Sequence, residues 1–157
     1  MNERFLSPLC IVSVLGILLC GCAEDVSTES LSILYGPISV TMEKKDGKTS
    51  VAAEITVQLV NRTEHAMNVA FLEGTIYDAG TGKALARFRP IIPQSYGTIS
   101  TGQLLPKQVK DFTVITPPEL EAFPGASPTT AAVQLNFQTT DGYRTEVVSG
   151  SVPVVFK

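Results

Sequence analysis

Apolar and polar residues alternate along much of the chain from Leu31 onward. The alternation is clearest over residues 38–43 and again over residues 51–59. Because successive side chains of a strand point to opposite faces, a period of two predicts strands with one buried face. Asp46 and Gly47 lie between these two runs. They favour a tight hairpin turn, in which we expect Gly47 at positive φ.

Further alternating runs predict more strands, and none of them has the 3.6-residue period of a helix. About seven or eight short strands, with turn residues every 8 to 12 positions, predict an all-β, immunoglobulin-like (Greek-key) β-sandwich. A small closed barrel is the alternative. Gly74 suggests a bulge, and Pro153 predicts an edge or a bulge in the last strand. The additional strands are expected at 67–77, 84–88, 108–115, 131–139 and 143–156.

The N-terminal part follows a different pattern, with an uninterrupted apolar run over residues 9–19. A membrane-spanning helix needs about 20 such residues, so this shorter run is typical of an export signal. Residues 19–22 (Leu-Cys-Gly-Cys) follow directly and resemble the bacterial lipobox. The resemblance implies cleavage between Gly21 and Cys22 and attachment of lipid to the Cys22 thiol. Two or three acyl chains on this residue would give a stable membrane anchor.

Three parts are therefore expected: a cleaved signal peptide over residues 1–21, a lipidated Cys22 with a polar tether to residue 30, and a β-sandwich over residues 31–157. Ala23 follows the lipobox cysteine where an Asp would favour retention in the inner membrane. By the same resemblance, we expect a lipid-anchored protein of the bacterial cell envelope, at the outer membrane and facing the periplasm.

Composition narrows the possible functions. The 12 Lys and Arg residues and 15 Asp and Glu residues are spread without runs, and the net charge is −3, so nucleic acid is not an expected partner. All three cysteines lie within the first 22 residues and His65 is the only histidine. Cysteine–histidine catalysis, multi-histidine zinc sites and a cofactor are therefore not expected. An envelope hydrolase using carboxylates is the least favoured alternative, because Glu119 and Glu121 lie in a proline-bounded loop rather than facing one another across a cleft.

Binding of a small ligand or metal is the second functional hypothesis. Met42, His65 and Met67 could form a copper(I) site, because thioether and imidazole groups suit that ion. We favour the alternative in which His65 is exposed to solvent and Met42 and Met67 pack in the hydrophobic core.

The leading hypothesis is a non-enzymatic domain that binds a protein or an envelope-assembly component. Two long loops, over residues 94–102 and 116–128, each carry an aromatic residue among Gly, Ser, Thr and Pro. Loops of this length on a rigid scaffold often serve recognition. Tyr96 and Phe123 are therefore the candidate partner-binding residues, although both could instead fold back over the ends of the core.

Several short motifs also suggest a family. They are Val-Asn-Arg-Thr at 60–63, Gly-Thr-Ile-Tyr-Asp at 74–78, Gly-Lys at 82–83, Leu-Leu-Pro-Lys at 104–107, and Phe112. Between residues 54 and 114 the chain resembles the FxLYD and type-2 late-embryogenesis-abundant domains, with Gly74, Ile76 and Lys107 replacing the Phe, Leu and Gly of the pattern. The resemblance implies an exported Greek-key sandwich without an agreed enzymatic activity. Asn61 is expected to be a turn residue that forms local hydrogen bonds.

Overall fold

The alternating runs form strands in a computed structural model, which describes residues 26–27, 30–93, 100–140, 142 and 144–157. This described part contains no helix, and hence none long and apolar enough to cross a membrane. The strands are β1 (Val26–Ser27), β2 (Leu31–Lys45), β3 (Lys48–Asn61), β4 (Met67–Asp78), β5 (Ala84–Phe88), β6 (Ser100–Leu104), β7 (Val109–Ile115), β8 (Thr130–Thr139), β9 (Arg144–Val148) and β10 (Val152–Phe156).

Two sheets share these strands. In the first sheet, β3 lies between β2 and β7, and β1 and the end of β10 pair with separate parts of the other edge of β2. In the second sheet, β4 pairs with β8 at the centre. On the other side of β4, β5 and β6 pair with different parts of the strand. On the other side of β8, β9 and the start of β10 do the same. The chain crosses between sheets after β3, before β7 and before β8, which confirms the immunoglobulin-like β-sandwich.

The core lies between the two sheets and contains one side of each alternating run. Phe71 of β4 lies at its centre, with its ring centroid 4.9 Å from that of Phe137 and 5.8 Å from that of Phe112. Phe137 belongs to the same sheet as Phe71, whereas Phe112 reaches across from β7, so this cluster joins the sheets. The other large side chains with almost no exposure are Leu31, Ile33, Met42, Ile55, Leu59, Ile76, Leu104, Leu135, Val40 and Val51.

The predicted hairpin between β2 and β3 is confirmed. Lys45 pairs with Lys48, which leaves a two-residue loop. Asp46 has a φ of 52° and Gly47 a φ of 79°. Positive φ at both loop residues matches the right-handed twist of the flanking strands, which explains why Asp-Gly stands here.

A bulge in β4 is also confirmed, but Gly74 has a different role. The register between β4 and β8 skips Leu72, because Phe71 pairs with Phe137 while Glu73 pairs with Asn136. A Cβ at Gly74 would lie 2.2 Å from Cζ of Phe88 on the neighbouring strand. Gly74 therefore allows the Phe88 ring to pack against the backbone of β4, and Leu72 is the bulged residue.

Two strand predictions were wrong in part. The expected single strand at 143–156 is divided into β9 and β10, because the Ser149 hydroxyl, in place of a backbone carbonyl, accepts the hydrogen bond from Val133 N at 2.8 Å and regular pairing with β8 stops there. Pro153 is not at a free edge: it pairs with Thr130 where β10 passes from β8 to β2. The expected loop at 94–102 includes the start of β6, while residues 94–99 lie outside the described residues.

Candidate functional site

Phe123 lies in a loop that joins the two sheets at one end of the sandwich. Ala122 N donates to Thr49 O in β3 at 2.8 Å, and Phe123 N donates to Leu85 O in β5 at 2.7 Å. Ala122 is buried against the core, whereas Phe123 remains 46% exposed. Ala122, rather than Phe123, therefore packs against the end of the core, so the alternative in which Phe123 folds back over the core is wrong, and the loop presents this aromatic ring to solvent.

The remaining residues singled out for binding or lipidation are not described by the structure. Tyr96 lies in the segment 94–99, and Gly21 and Cys22 lie before Val26. Partner binding at Tyr96 and lipidation at Cys22 stay predictions from the sequence.

The three candidate metal ligands are not brought together. Met42 is fully buried and pairs with Val51 near the hairpin. His65 lies at the other end of β3, where its carbonyl accepts a 2.7 Å hydrogen bond from Nδ2 of Asn61. Ten residues of strand separate Val51 from Asn61, or about 33 Å at the usual rise. Met67 is buried near His65, so the set cannot surround one ion.

The carboxylates of the proline-rich loop are solvated. Glu121 lies 3.9 Å from the Lys48 amine, with side-chain exposures of 64% and 76%, and Glu119 lines the same shallow cleft. No group of three His, Cys, Asp or Glu residues that could hold a metal occurs within the described ranges. Exposed charges of both signs favour a hydrated surface over an acid–base pair, which needs a dry or strongly polarised setting.

Two titratable groups with shifted pKa values stabilise the fold. The Tyr35 hydroxyl donates to Val147 O at 2.9 Å, linking β2 of the first sheet to β9 of the second. Burial raises the pKa of Tyr35, so the phenol stays protonated as a donor. Hydrogen bonds from the Thr81 hydroxyl and then the Gly80 amide lower the pKa of Asp78, whose carboxylate orders the turn after β4.

Asn61 is a fully buried polar residue at the end of β3, and its side chain forms four hydrogen bonds. Its Nδ2 donates to His65 O at 2.7 Å and to Leu105 O at 2.9 Å. Its Oδ1 accepts from Thr63 N at 2.9 Å and from the Thr63 hydroxyl at 2.8 Å. The expected local hydrogen bonds are confirmed, and the bond to Leu105 O is an addition that local sequence did not indicate. We call residues 61–65 and 105–108 together the Asn61 junction.

Lys107 supplies a second connection within the Asn61 junction. It has a φ of 55°, and its amine donates to Arg62 O at 2.6 Å and contacts the Glu64 carboxylate at 2.9 Å. Leu105 and Val109 flank this turn, and each is 55% exposed. Sequence reasoning did not single out Leu105 or Val109 as surface residues, because an apolar residue next to a strand is ordinarily assigned to the core.

No protein-family model and no curated protein matches the sequence. Two solved structures have a similar fold. The ASH / PapD-like domain of human CEP192 is 10% identical with a TM-score of 0.44, and the match covers 96% of this chain and 99% of that one. A FixG-related protein from Vibrio parahaemolyticus is 17% identical with a TM-score of 0.39, covering 73% of this chain and 92% of that one.

Proposed function

We propose that this chain is a lipid-anchored protein of the bacterial cell envelope, whose non-enzymatic β-sandwich binds a protein or an envelope-assembly component. The apolar run of export length and the Leu-Cys-Gly-Cys sequence ending at Cys22 support the lipid anchor. The outer membrane, facing the periplasm, is the proposed location. Met42 lies too far from His65 to share a metal ion with it, which disfavours the copper-binding alternative. The solvated carboxylates of Glu119 and Glu121 disfavour a hydrolase.

The exposed ring of Phe123 is the observation that carries the binding proposal. Backbone hydrogen bonds to both sheets fix the loop on either side of Phe123, yet the ring is 46% exposed. Because the loop is already ordered, a partner would bury this ring at a small entropic cost. Tyr96, in the other long loop, is the second proposed contact.

The backbone at Lys107 supports the proposed relation to the FxLYD and type-2 late-embryogenesis-abundant domains. Lys107 occupies the position at which that pattern has a Gly, and its φ of 55° lies in the left-handed region that favours Gly. Asn61, which belongs to the same pattern, contacts this turn through Leu105 O. These two motif positions are thus joined in space, as residues of a shared structural motif would be.

Metabolic labelling with palmitate tests the anchor. We expect the native chain to incorporate label and Cys22→Ser to accumulate as unlabelled precursor, because the acyl acceptor thiol is gone. Cys10→Ser is the matched control and should be labelled normally, since Cys10 lies within the proposed signal. Label retained by Cys22→Ser would contradict the anchor.

Photocrosslinking in cells tests the binding surface. A benzophenone amino acid at position 123 is expected to give a defined adduct with one envelope protein, whereas the same substitution at Val109 should not give that adduct. Val109 is the control because it is 55% exposed and pairs with Val60, at the opposite end of β3 from Thr49, to which the loop bonds. The same adducts from both positions, or none from position 123, would contradict a binding role for Phe123.

A further inference from the structure

Strand β7 is the last strand of the first sheet, and β3 occupies only one of its two edges. Gln108 O accepts a hydrogen bond from Asn61 N at 2.9 Å, and Thr116 N donates to Ala53 O at 3.0 Å. Alternate residues of a strand direct their backbone groups to the same edge, so the even-numbered residues of β7 bond to β3. The N–H and C=O groups of the odd-numbered residues point to the opposite edge.

Within the described part of the chain, this opposite edge is paired only at Ile115. Ile115 exchanges two backbone hydrogen bonds with Ile91, at 2.9 and 3.0 Å. The same antiparallel register would place Pro93 opposite Thr113, and proline has no N–H to continue the ladder. The described residues supply no backbone partner to the outward groups of Thr113 and Asp111. We call this outward side of Asp111 and Thr113 the free edge; such a row of groups is a template for an additional strand.

A cleft lies beside the free edge, between β7 and β6. It has a volume of about 350 Å³, and Ile92, Gly102 and Phe112 are its apolar lining. The Phe112 ring packs against the backbone at Gly102, where a Cβ would lie 2.3 Å from the ring. Alternate side chains of a strand added at the free edge would point toward this cleft. The residue opposite Phe112 is then expected to be apolar.

Lys110 places a positive charge at the end of the cleft. Its amine lies 5.0 Å from the centroid of the Phe112 ring and donates to Gln103 O at 3.4 Å. No carboxylate of the described residues pairs with this amine, because the Asp111 side chain lies on the outer face and accepts a hydrogen bond from Gln58 at 3.0 Å. An inward-pointing charge on an edge strand disfavours pairing with an arbitrary segment. A carboxylate opposite Lys110 would remove this penalty, since opposite charges on facing strands attract.

We propose that the free edge binds an extended segment of a partner protein as an additional antiparallel strand, with an apolar residue opposite Phe112 and an Asp or Glu opposite Lys110. Backbone hydrogen bonds to Asp111 and Thr113 supply affinity, whereas the cleft and the amine select the segment. A second copy of β7 is a poorer occupant, because the register that joins Asp111 to Thr113 places Lys110 opposite Val114 and leaves the amine without a carboxylate. The proposal depends neither on the lipid anchor nor on the proposed contacts of the long loops.

Hydrogen exchange followed by NMR tests the proposal on the intact, isotope-labelled protein in detergent, which keeps the chain in solution with or without lipid. The probe is the capped peptide Ser-Thr-Val-Thr-Glu-Ser, whose Val and Glu match the positions opposite Phe112 and Lys110. At saturating peptide we expect exchange of the Asp111 and Thr113 amides to slow at least about tenfold, because each amide becomes hydrogen-bonded. The amides of Lys110 and Phe112 already bond to β3 and should change little.

Two methylated peptides separate backbone pairing from other modes of binding. N-methylation of the Thr between Val and Glu, which lies opposite Asp111, removes an N–H that faces β7 and should abolish the slowing. N-methylation of the Glu, whose N–H faces away from β7, should preserve it. This comparison needs no protein variant, so it does not depend on whether a variant folds.

A charge exchange tests the role of Lys110. Replacing the Glu of the peptide with Lys should weaken binding to the native protein by at least about fivefold, because it sets two cations opposite each other. Lys110→Glu should reverse the preference, so that the Lys peptide binds better than the Glu peptide. Equal affinity of the native protein for the two peptides would overturn the acidic requirement.

The remaining outcomes decide whether the edge binds a strand at all. Exchange at Asp111 and Thr113 that peptide does not slow, or equal slowing by the two methylated peptides, would overturn strand addition. Slow exchange of these amides before peptide is added would show that the edge is already occupied and would also overturn the proposal. A doubled molecular mass would then identify the occupant as a second copy.

Discussion

The two ends of the β2–β3 ladder are closed in different ways. At the hairpin end, Lys45 pairs with Lys48 and the closure uses the two residues between them, both at positive φ. At the other end, Leu31 pairs with Asn61, and the Asn61 side chain bonds to Leu105 O, 44 residues away in sequence. One end is thus fixed by local backbone conformation and the other by a buried amide that joins distant segments.

This difference determines what each end can tolerate. A local turn depends on φ at one or two positions, and a substitution there costs backbone strain and little else. A buried amide with several partners is more sensitive, because removing it leaves donors and acceptors without hydrogen bonds in a place that water does not reach. The Asn61 junction should therefore contribute more to stability than the hairpin turn does.

The largest expected effect follows from Asn61→Ala. The substitution removes both bonds donated by Nδ2 and both accepted by Oδ1, and we expect the free energy of unfolding to fall by about 2–4 kcal/mol. Asn68→Ala is the control, because Asn68 is exposed on β4, and it should change stability by no more than about 0.5 kcal/mol. Chemical denaturation of both variants measures the difference. A similar loss in both would show that the Asn61 amide has no special role.

Gly47→Val should have an intermediate effect at the hairpin end. A Cβ at Gly47 meets no atom within 4 Å, so the cost comes from placing a β-branched residue at a φ of 79° and should be about 1–2 kcal/mol. Thr49→Val is the control and should cost little, since Val is favoured in strands. Denaturant midpoints decide the matter: coinciding midpoints for the two variants would mean that the turn conformation does not limit stability.

The smallest effect is expected at the rim of the Asn61 junction, from Glu64→Gln. The ion pair with Lys107 measures 2.9 Å, but the two side chains are 75% and 57% exposed, so its loss should cost at most about 1 kcal/mol. Screening should abolish even this difference at about 1 M salt. Thermal unfolding at low and high salt measures it. A cost that persists in high salt would show that the pair is less solvated than its exposure indicates.

The sequence predicted strands where local pattern determines them and failed where packing does. The Asp46–Gly47 hairpin was predictable because its loop needs residues that tolerate positive φ. Residues 100–104 were not recognised as β6, because Gly102 and polar neighbours interrupt the pattern. A Cβ at Gly102 would lie 2.3 Å from the Phe112 ring. That ring belongs to another strand, so the reason for Gly102 cannot be found in its own segment.

The candidate surfaces divide in the same way. Phe123 was identifiable as an aromatic residue in a long proline-rich loop, and it is exposed. Leu105 and Val109 were not, because their exposure depends on how the β6–β7 turn meets Asn61. Met42 and Met67 were candidate metal ligands because of their side-chain chemistry. The sequence did not show that the length of the β2–β3 ladder separates Met42 from His65.

The intact mass of the protein extracted from the bacterial envelope tests the central claim most directly. Lipidation and cleavage after Gly21 predict a chain of residues 22–157 that carries acyl groups on Cys22, together with partition into detergent. The mass of the complete 157-residue chain, or a processed chain with a free Cys22 thiol, would contradict the proposal that lipid holds this β-sandwich at the membrane.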